Sequence, residues 1–254
     1  SVPLSRPGPV AVGPSGVYAT DSWRGTLRRL DPEALRTSAN LRLVLPFEVA
    51  PADNAFLPFD VAIGKDAVWV STRRGALARV DLHASRVLRV VRLPGATTGA
   101  IAVDKWGVWV AENALGVYRV DPKTNRVVAR IRIGQPTKRL AVDLPLAGAN
   151  GVVAVGSWSK NGVLTGERGF ARIDPRRSQA QAVVRLPPGA LAVAIGQGTL
   201  WVARVGGAQI AKVDSRTGKI VGRFRTRDVV ALAVWKGRVW AAARDGTVRE
   251  ISGG

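Results

Sequence analysis

The chain offers chemistry one histidine, 18 carboxylates and 38 basic side chains across 254 residues, with no cysteine and no methionine. Without cysteine there is no disulfide, no thiolate nucleophile and no thiolate metal site. The histidine, His83, lies in Asp81-Leu82-His83-Ala84-Ser85-Arg86, a polar turn sequence. A Ser/His/Asp set needs its histidine beside the nucleophile, so His83 is read as a solvated turn residue and nucleophilic catalysis gains no support. Asp31, Asp81, Asp121, Asp174 and Asp214 recur at equivalent places. A ring of carboxylates suggests calcium, but each is followed by Pro, Leu or Ser and the dense ligand spacing of an EF-hand is missing, so they are read as turn starters.

The remaining chemistry is basic and aromatic. Arg24, Arg73, Arg74, Arg139, Lys160, Arg204 and Arg244, with Glu112, Asn113 and Asp245, make a mixed, mostly cationic set that suits a carboxylate, phosphate or acidic glycan held by Arg forks. Trp23 and Trp158 stand among them and could stack on a sugar or base or cover a core edge. For these residues to converge, the chain must bring distant loops to one face.

A repeat does this. In Ile101 to Gly134, the runs Ile101 to Val103, Val108 to Ala111, Gly116 to Val120 and Val127 to Ile133 are short and rich in Val and Ile. Asp104-Lys105-Trp106-Gly107 and Asp121-Pro122-Lys123-Thr124-Asn125 separate them as turns, so they read as four antiparallel strands, a to d. Strands a and b are apolar throughout, as covered strands are, whereas Arg130-Ile131-Arg132-Ile133 alternates and has one wet face. Such a sheet cannot hide its faces alone and must stack on copies of itself.

Copies are found at about 9–46, 59–94, 140–187, 191–226 and 230–252, besides 100–134. Trp69, Trp109, Trp201 and Trp240 hold equivalent strand b positions at steps of about 40 residues, one step being double. These four are read as packing between blades. Trp106 and Trp235 fall in a to b turns, on the face opposite the b to c loops. The last copy lacks strand d, and residues 1–8 resemble the missing piece, since Val-x-Leu-x-Arg-Pro-Gly parallels Val91-Arg92-Leu93-Pro94-Gly95 in spacing. The expectation is one domain, residues 1–254, folded as an all-β six-bladed propeller whose N-terminal strand closes the last blade. The b to c loops then place the candidate set on one mouth. Two longer segments, Phe47 to Pro58 and Ser157 to Gly169, read as loops on that face, with Lys138 and Arg139 in a d to a loop. Long loops in a compact repeat fold carry function more often than not. A third expansion, Asp143 to Gly151, falls on the opposite face.

The pattern (Leu/Val)-Trp-Val-(Ala/Ser), then Arg/Lys-Val/Ile-Asp, then Thr-Gly/Asn-x-(Val/Ile)-Val, clearest at 200–221 and 108–128, resembles the repeat of streptogramin-lyase-like and YVTN-type bacterial propellers. The resemblance covers nearly the whole chain and implies the fold. Those families include enzymes, sensor domains and propellers of unknown role. The lyase uses histidine and glutamate with magnesium on one mouth, and those histidines are not matched here, so no cofactor or metal is implied.

The net charge of +20 implies attraction to polyanions. Part of the excess lies on outer strands, at Arg89, Arg92, Arg130, Arg132, Arg185, Arg223 and Arg225, where cations block edge-to-edge pairing. No nucleic-acid module or clustered basic stripe with interleaved aromatics is present. The uncharged run from Leu186 to Ala203 contains Pro187, Pro188, Gly189, Gly196 and Gly198 and reads as loop and turn, not as a membrane span. Residue 1 is not methionine, so it reads as a processed or cut end, with an upstream signal peptide or anchor expected. The sequence reading is a non-enzymatic, extracytoplasmic bacterial ligand-binding or sensor propeller for an anionic small molecule, glycan or protein. Nucleic acid or an acidic polymer is the alternative that the charge admits. A lyase or hydrolase using mouth carboxylates such as Glu112 or Asp245 is another, and a protein-interaction scaffold with an apolar patch a third.

Overall fold

The computed structural model describes residues 7–13, 15–21, 25–31, 36–43, 58–72, 75–94, 98–112, 116–135, 138–148, 151–160, 163–181, 183–186, 190–196, 198–204, 208–235, 238–243 and 248–251. Among them every regular element is a strand, and the strands form six antiparallel sheets, the blades of an all-β six-bladed propeller. Blade 1 is β1 (Pro7–Gly13), β2 (Gly16–Asp21), β3 (Thr26–Asp31) and β4 (Arg36–Arg42). Blade 2 is β5 (Pro58–Ile63), β6 (Val68–Thr72), β7 (Ala76–Val80) and β8 (Val87–Arg92). Blade 3 is β9 (Thr98–Asp104), β10 (Gly107–Glu112), β11 (Gly116–Asp121) and β12 (Arg126–Ile131). Blade 4 holds β13 (Gly134–Gln135), β14 (Lys138–Gly148), β15 (Gly151–Lys160), β16 (Val163–Asp174), β17 (Gln179–Ala180) and β18 (Val184–Arg185). Blade 5 is β19 (Ala190–Gly196), β20 (Thr199–Arg204), β21 (Gln209–Asp214) and β22 (Ile220–Arg225); blade 6 is β23 (Val229–Trp235), β24 (Arg238–Ala243) and β25 (Val248–Ile251).

Contacts divide the chain into two units, residues 1–131 with 143–145, and residues 132–142 with 146–254. Blades 1 to 3 belong to the first unit and blades 5 and 6 to the second, with blade 4 in the second except for residues 143–145 of β14. Residues 1–6 of the expected closing strand lie outside the described residues, and Pro7 opens β1 opposite Asp21 in blade 1.

The burial pattern follows from the sequence. Strand β10 is buried at every position, whereas β12 alternates until Ile131. Beyond it Arg132 is exposed and Ile133 buried, so the wet face expected at 130–133 is present. The tryptophans share one environment by register. Trp69 lies between Ala62 on strand a and Arg79 on strand c, Trp109 between Ala102 and Arg119, and Trp201 between Ala194 and Lys212. Trp240 lies between Ala233 and Glu250. A small residue on strand a leaves space for the indole, and the long charged side chain on strand c lies over it. The Arg79, Arg119 and Lys212 head groups sit 5.7, 5.6 and 5.5 Å from their indole centroids. Trp240 is covered instead by Arg238 at 5.6 Å, which is ion-paired to Glu250. Trp69 packs with Ile101, Val108 and Val110 of blade 3, and Trp201 with Val229, Val239 and Ala241 of blade 6. Burying one such ring removes roughly 150–250 Å² from water, on the order of 4 kcal/mol.

Blade 1 fills the same position with Tyr18, between Ala11 and Arg29. Its ring packs on Val61, Val68 and Val70 of blade 2, and its hydroxyl donates to the Leu82 carbonyl in the c to d turn of that blade. Arg79 in turn donates to the Pro122 carbonyl at 3.0 Å and to Asn125 Oδ1 at 3.2 Å in the c to d turn of blade 3. Blades 1 and 2 are thus each pegged to the next blade by a polar reach from the strand b aromatic or from beside it.

The aspartates after strand c in blades 2 to 5 start turns, as read, and residues 32–35, after Asp31, lie outside the described residues. Asp121 accepts the Lys123 amide at 2.9 Å, Asp174 the Arg176 amide at 2.9 Å and Asp214 the Arg216 amide at 2.7 Å. Those amides hold all three carboxyls below the usual aspartate range. His83 is exposed in the same turn of blade 2. Gly107 closes the a to b turn of blade 3 with φ +153°, and a Cβ there would meet the Val120 carbonyl at 2.8 Å.

Strand d carries a bulge at one equivalent place in blades 1, 2, 3 and 5. The residue skipped by the ladder is Ser38, Leu88, Val128 or Val221. The three apolar ones are 41%, 51% and 57% exposed. A bulge bends and twists an edge strand away from further pairing.

Candidate functional site at the strand b ends

Strand b of each blade runs out toward its b to c loop, and there blades 1 to 3 bury polar side chains. Thr20, Asp21, Ser71, Thr72 and Glu112, all at the ends of strands b, are fully or almost fully buried. A buried polar group must find a partner, and Thr20, Ser71, Thr72 and Glu112 find theirs within a blade or across to the next. The Thr20 hydroxyl donates to the Pro9 carbonyl, and Thr72 to the Ala76 carbonyl at 3.2 Å. Ser71 donates to the Gly99 carbonyl of blade 3 at 2.9 Å. Beside it on strand a, Asp60 accepts the Val61 amide through Oδ1 and the Ile101 amide of blade 3 through Oδ2, each at 2.8 Å. Burial pushes the Asp60 carboxyl up, and the Ile101 and Val61 amides oppose that rise. Asp60 and Ser71 together tie the inner strands of blades 2 and 3.

Glu112 closes strand b of blade 3. Tyr118 on strand c and Arg130 on strand d are opposed in register, and Glu112 meets both. It accepts the Tyr118 hydroxyl at 2.8 Å and Arg130 Nε at 2.7 Å, with Arg130 Nη2 on the oxygen that Tyr118 shares. The Arg130 guanidinium lies 5.6 Å over the Tyr118 ring and is raised in pKa by its bond to Glu112. The carboxylate is only 3% exposed, the guanidinium side chain 35%. Glu112 is a neutralised, buried group engaged by two neighbours. It holds three strands of blade 3 together.

Of the expected mouth residues, Trp23, Arg24, Arg73, Arg74, Asn113, Arg244 and Asp245 lie outside the described residues, and so does the segment 44–57. Arg139 and Trp158 are in β14 and β15, with side chains outside the description. Lys160 and Arg204 are exposed at the ends of β15 and β20, the strand b ends of blades 4 and 5.

Two loop expectations are corrected. Ser157 to Gly169 is not a loop over most of its length: Ser157 pairs with Arg168, Ser159 with Leu164 and Lys160 with Val163, so β15 and β16 extend as a hairpin. Lys138 and Arg139 belong to β14, paired with Gln135 and Gly134. Exposed Glu167 on the hairpin faces Arg185 at 3.6 Å. Sequence reasoning missed Tyr18, Asp60, Ser71, Tyr118 and the partnership of Arg130. The alanine on strand a beside Tyr18 was the one signal that marked the first of these.

Among the described residues no group of three or more His, Cys, Asp or Glu side chains is placed to hold a metal ion. No helix among them is long and apolar enough to cross a membrane.

No protein-family profile matches the sequence, and no curated protein matches it. Solved structures do resemble the fold. BamB from Moraxella catarrhalis aligns with a TM-score of 0.65 at 14% identity, over 95% of this chain and 70% of that one. Hydrazine synthase from Kuenenia stuttgartiensis aligns with a TM-score of 0.61 at 12% identity, over 98% and 96%. At such identities the likeness shows the fold, and it supports the fold-level resemblance to propeller families.

Proposed function

We propose that this chain is a non-catalytic, extracytoplasmic binding propeller that takes an anionic ligand or protein partner at the strand b ends. The observation that carries the reading is the state of Glu112. Its carboxylate is buried against Arg130 and Tyr118, so it serves packing and is withdrawn from a ligand or a reaction. The other two candidates with described side chains, Lys160 and Arg204, are cationic and exposed. A chain with net charge +20 adds long-range attraction to an anion. The extracytoplasmic setting rests on the resemblance to sensor-type bacterial propellers.

Citrate, a compact tricarboxylate, is a direct probe for titration calorimetry at low salt. Charge reversal by Lys160→Glu with Arg204→Glu is expected to weaken its binding at least about tenfold, while Glu112→Gln leaves the affinity unchanged. The reading fails if the double variant binds citrate as the parent does, or if Glu112→Gln abolishes binding. Duplex DNA separates the polyanion reading, since it would bind with a steep salt slope of roughly one counterion per phosphate contacted.

A further inference from the structure

We propose that the outer strand of blade 5, β22, is a docking edge for an extended acidic segment of a partner protein. Strand β22 pairs with β21 on one side and is the last strand of its sheet. Every residue along it from Ile220 to Arg225 except Gly222 and Phe224 is exposed. Register sorts these side chains. Ile220, Arg223 and Arg225 oppose Val213, Ala211 and Gln209 and share one face. Phe224 takes the other face, stacked on Trp201 at 5.2 Å and packed toward blade 6. The skipped residue, Val221, is 57% exposed, and Ile220 beside it 39%.

The outer strands of blades 2 and 3 are not equivalent. In β8 and β12 an apolar residue after the bulge, Val91 or Ile131, is buried, and Arg130 is committed to Glu112. In β22 the corresponding residue, Phe224, is only half-buried, and among the described residues neither Arg223 nor Arg225 is ion-paired. The edge therefore presents an apolar step at Ile220 and Val221, then two uncommitted cations spaced one residue apart.

That arrangement selects its occupant. A second copy of β22 would bring like charges opposite one another, which destabilises a cross-strand pair. An acidic strand reverses the sign, so the cations that exclude self-pairing admit a segment with carboxylates at alternate positions and a β-branched residue opposite Ile220. Main-chain bonds would supply affinity and the alternate side chains the selection. The bulge at Val221 breaks the run between Gly222 and Ile220, so the regular pairing stretch is Gly222 to Arg225, with the Ile220 contact lying past the break. A lipid surface fits less well, because the exposed apolar residues are one Ile and one Val with no aromatic among them.

The test uses the intact chain and a fluorescein-labelled ten-residue peptide of alternating glutamate and valine, followed by anisotropy, with hydrogen exchange of the β22 amides. Binding is expected, with added protection at residues 222–225. Arg223→Glu with Arg225→Glu should weaken it about tenfold or more, with the thermal midpoint unchanged because both side chains are exposed. The same double variant should leave citrate binding unaltered, and Lys160→Glu with Arg204→Glu should leave the peptide unaltered, so this edge and the strand b ends fail or stand separately. The proposal is overturned by equal peptide affinity in the Arg223/Arg225 variant, by protection elsewhere than 222–225, or by vesicles of anionic lipid competing the peptide away.

Discussion

Replacing Glu112 by alanine should weaken the fold of blade 3 by about 2–4 kcal/mol. The Tyr118 hydroxyl loses a charged acceptor at 2.8 Å, a bond of about 1.5–3 kcal/mol. Arg130 loses its ion pair, but its side chain is 35% exposed and turns to water, so that part adds less than about 1 kcal/mol. Glu112→Gln keeps a neutral acceptor for Tyr118 and should cost only about 1 kcal/mol. The assay is urea unfolding followed by tryptophan fluorescence, comparing midpoints at constant slope. A cycle with Arg130→Gln should return a coupling of about 0.5–1 kcal/mol that shrinks with salt. An alanine variant as stable as the parent would refute the structural role. Loss of citrate binding with stability intact would return Glu112 to the ligand.

Two further perturbations probe the ties between blades. Burial raises the Asp60 pKa, so the folded state holds that proton more tightly, and stability is fullest below the ordinary aspartate value of 3.8 and falls as pH climbs through the raised value. Asp60→Asn lacks this slope: its midpoint should rise relative to the parent as pH climbs above 3.8, and parallel curves would exclude the effect. Tyr18→Phe removes the hydroxyl that donates to Leu82. It should cost about 1 kcal/mol and speed amide exchange in the turn from Asp81 to Arg86, and unchanged exchange there would show that the peg carries no load.

The blades are legible in the sequence because their signals are local. Runs of Val and Ile bounded by Asp turns mark each strand, and the tryptophans mark strand b. Tyr18 escapes as the fifth such anchor because it lacks the indole that makes the others conspicuous; the residue common to these positions is the alanine across from it on strand a, at Ala11, Ala62, Ala102, Ala194 and Ala233. Glu112 illustrates the opposite limit. Its place beside a b to c loop suggests a ligand group, and only the cross-strand register, which brings Arg130 from 18 residues away, shows that the carboxylate is occupied. The hairpin in blade 4 reads as a loop because its polar residues lack hydrophobic alternation, yet its backbone pairing continues.

The repeated strand d bulge has an effect on the kinship of the blades. With the skipped residue at the same rung in blades 1, 2, 3 and 5, any of these outer strands would engage another blade's strand c in phase. The odd residue points to solvent, so it gives the receiving blade no means of rejecting a stranger. In blades 2, 3 and 5 fidelity then falls to the short Asp-led turns, which leash each outer strand to its own neighbour and keep interchangeable parts from being interchanged.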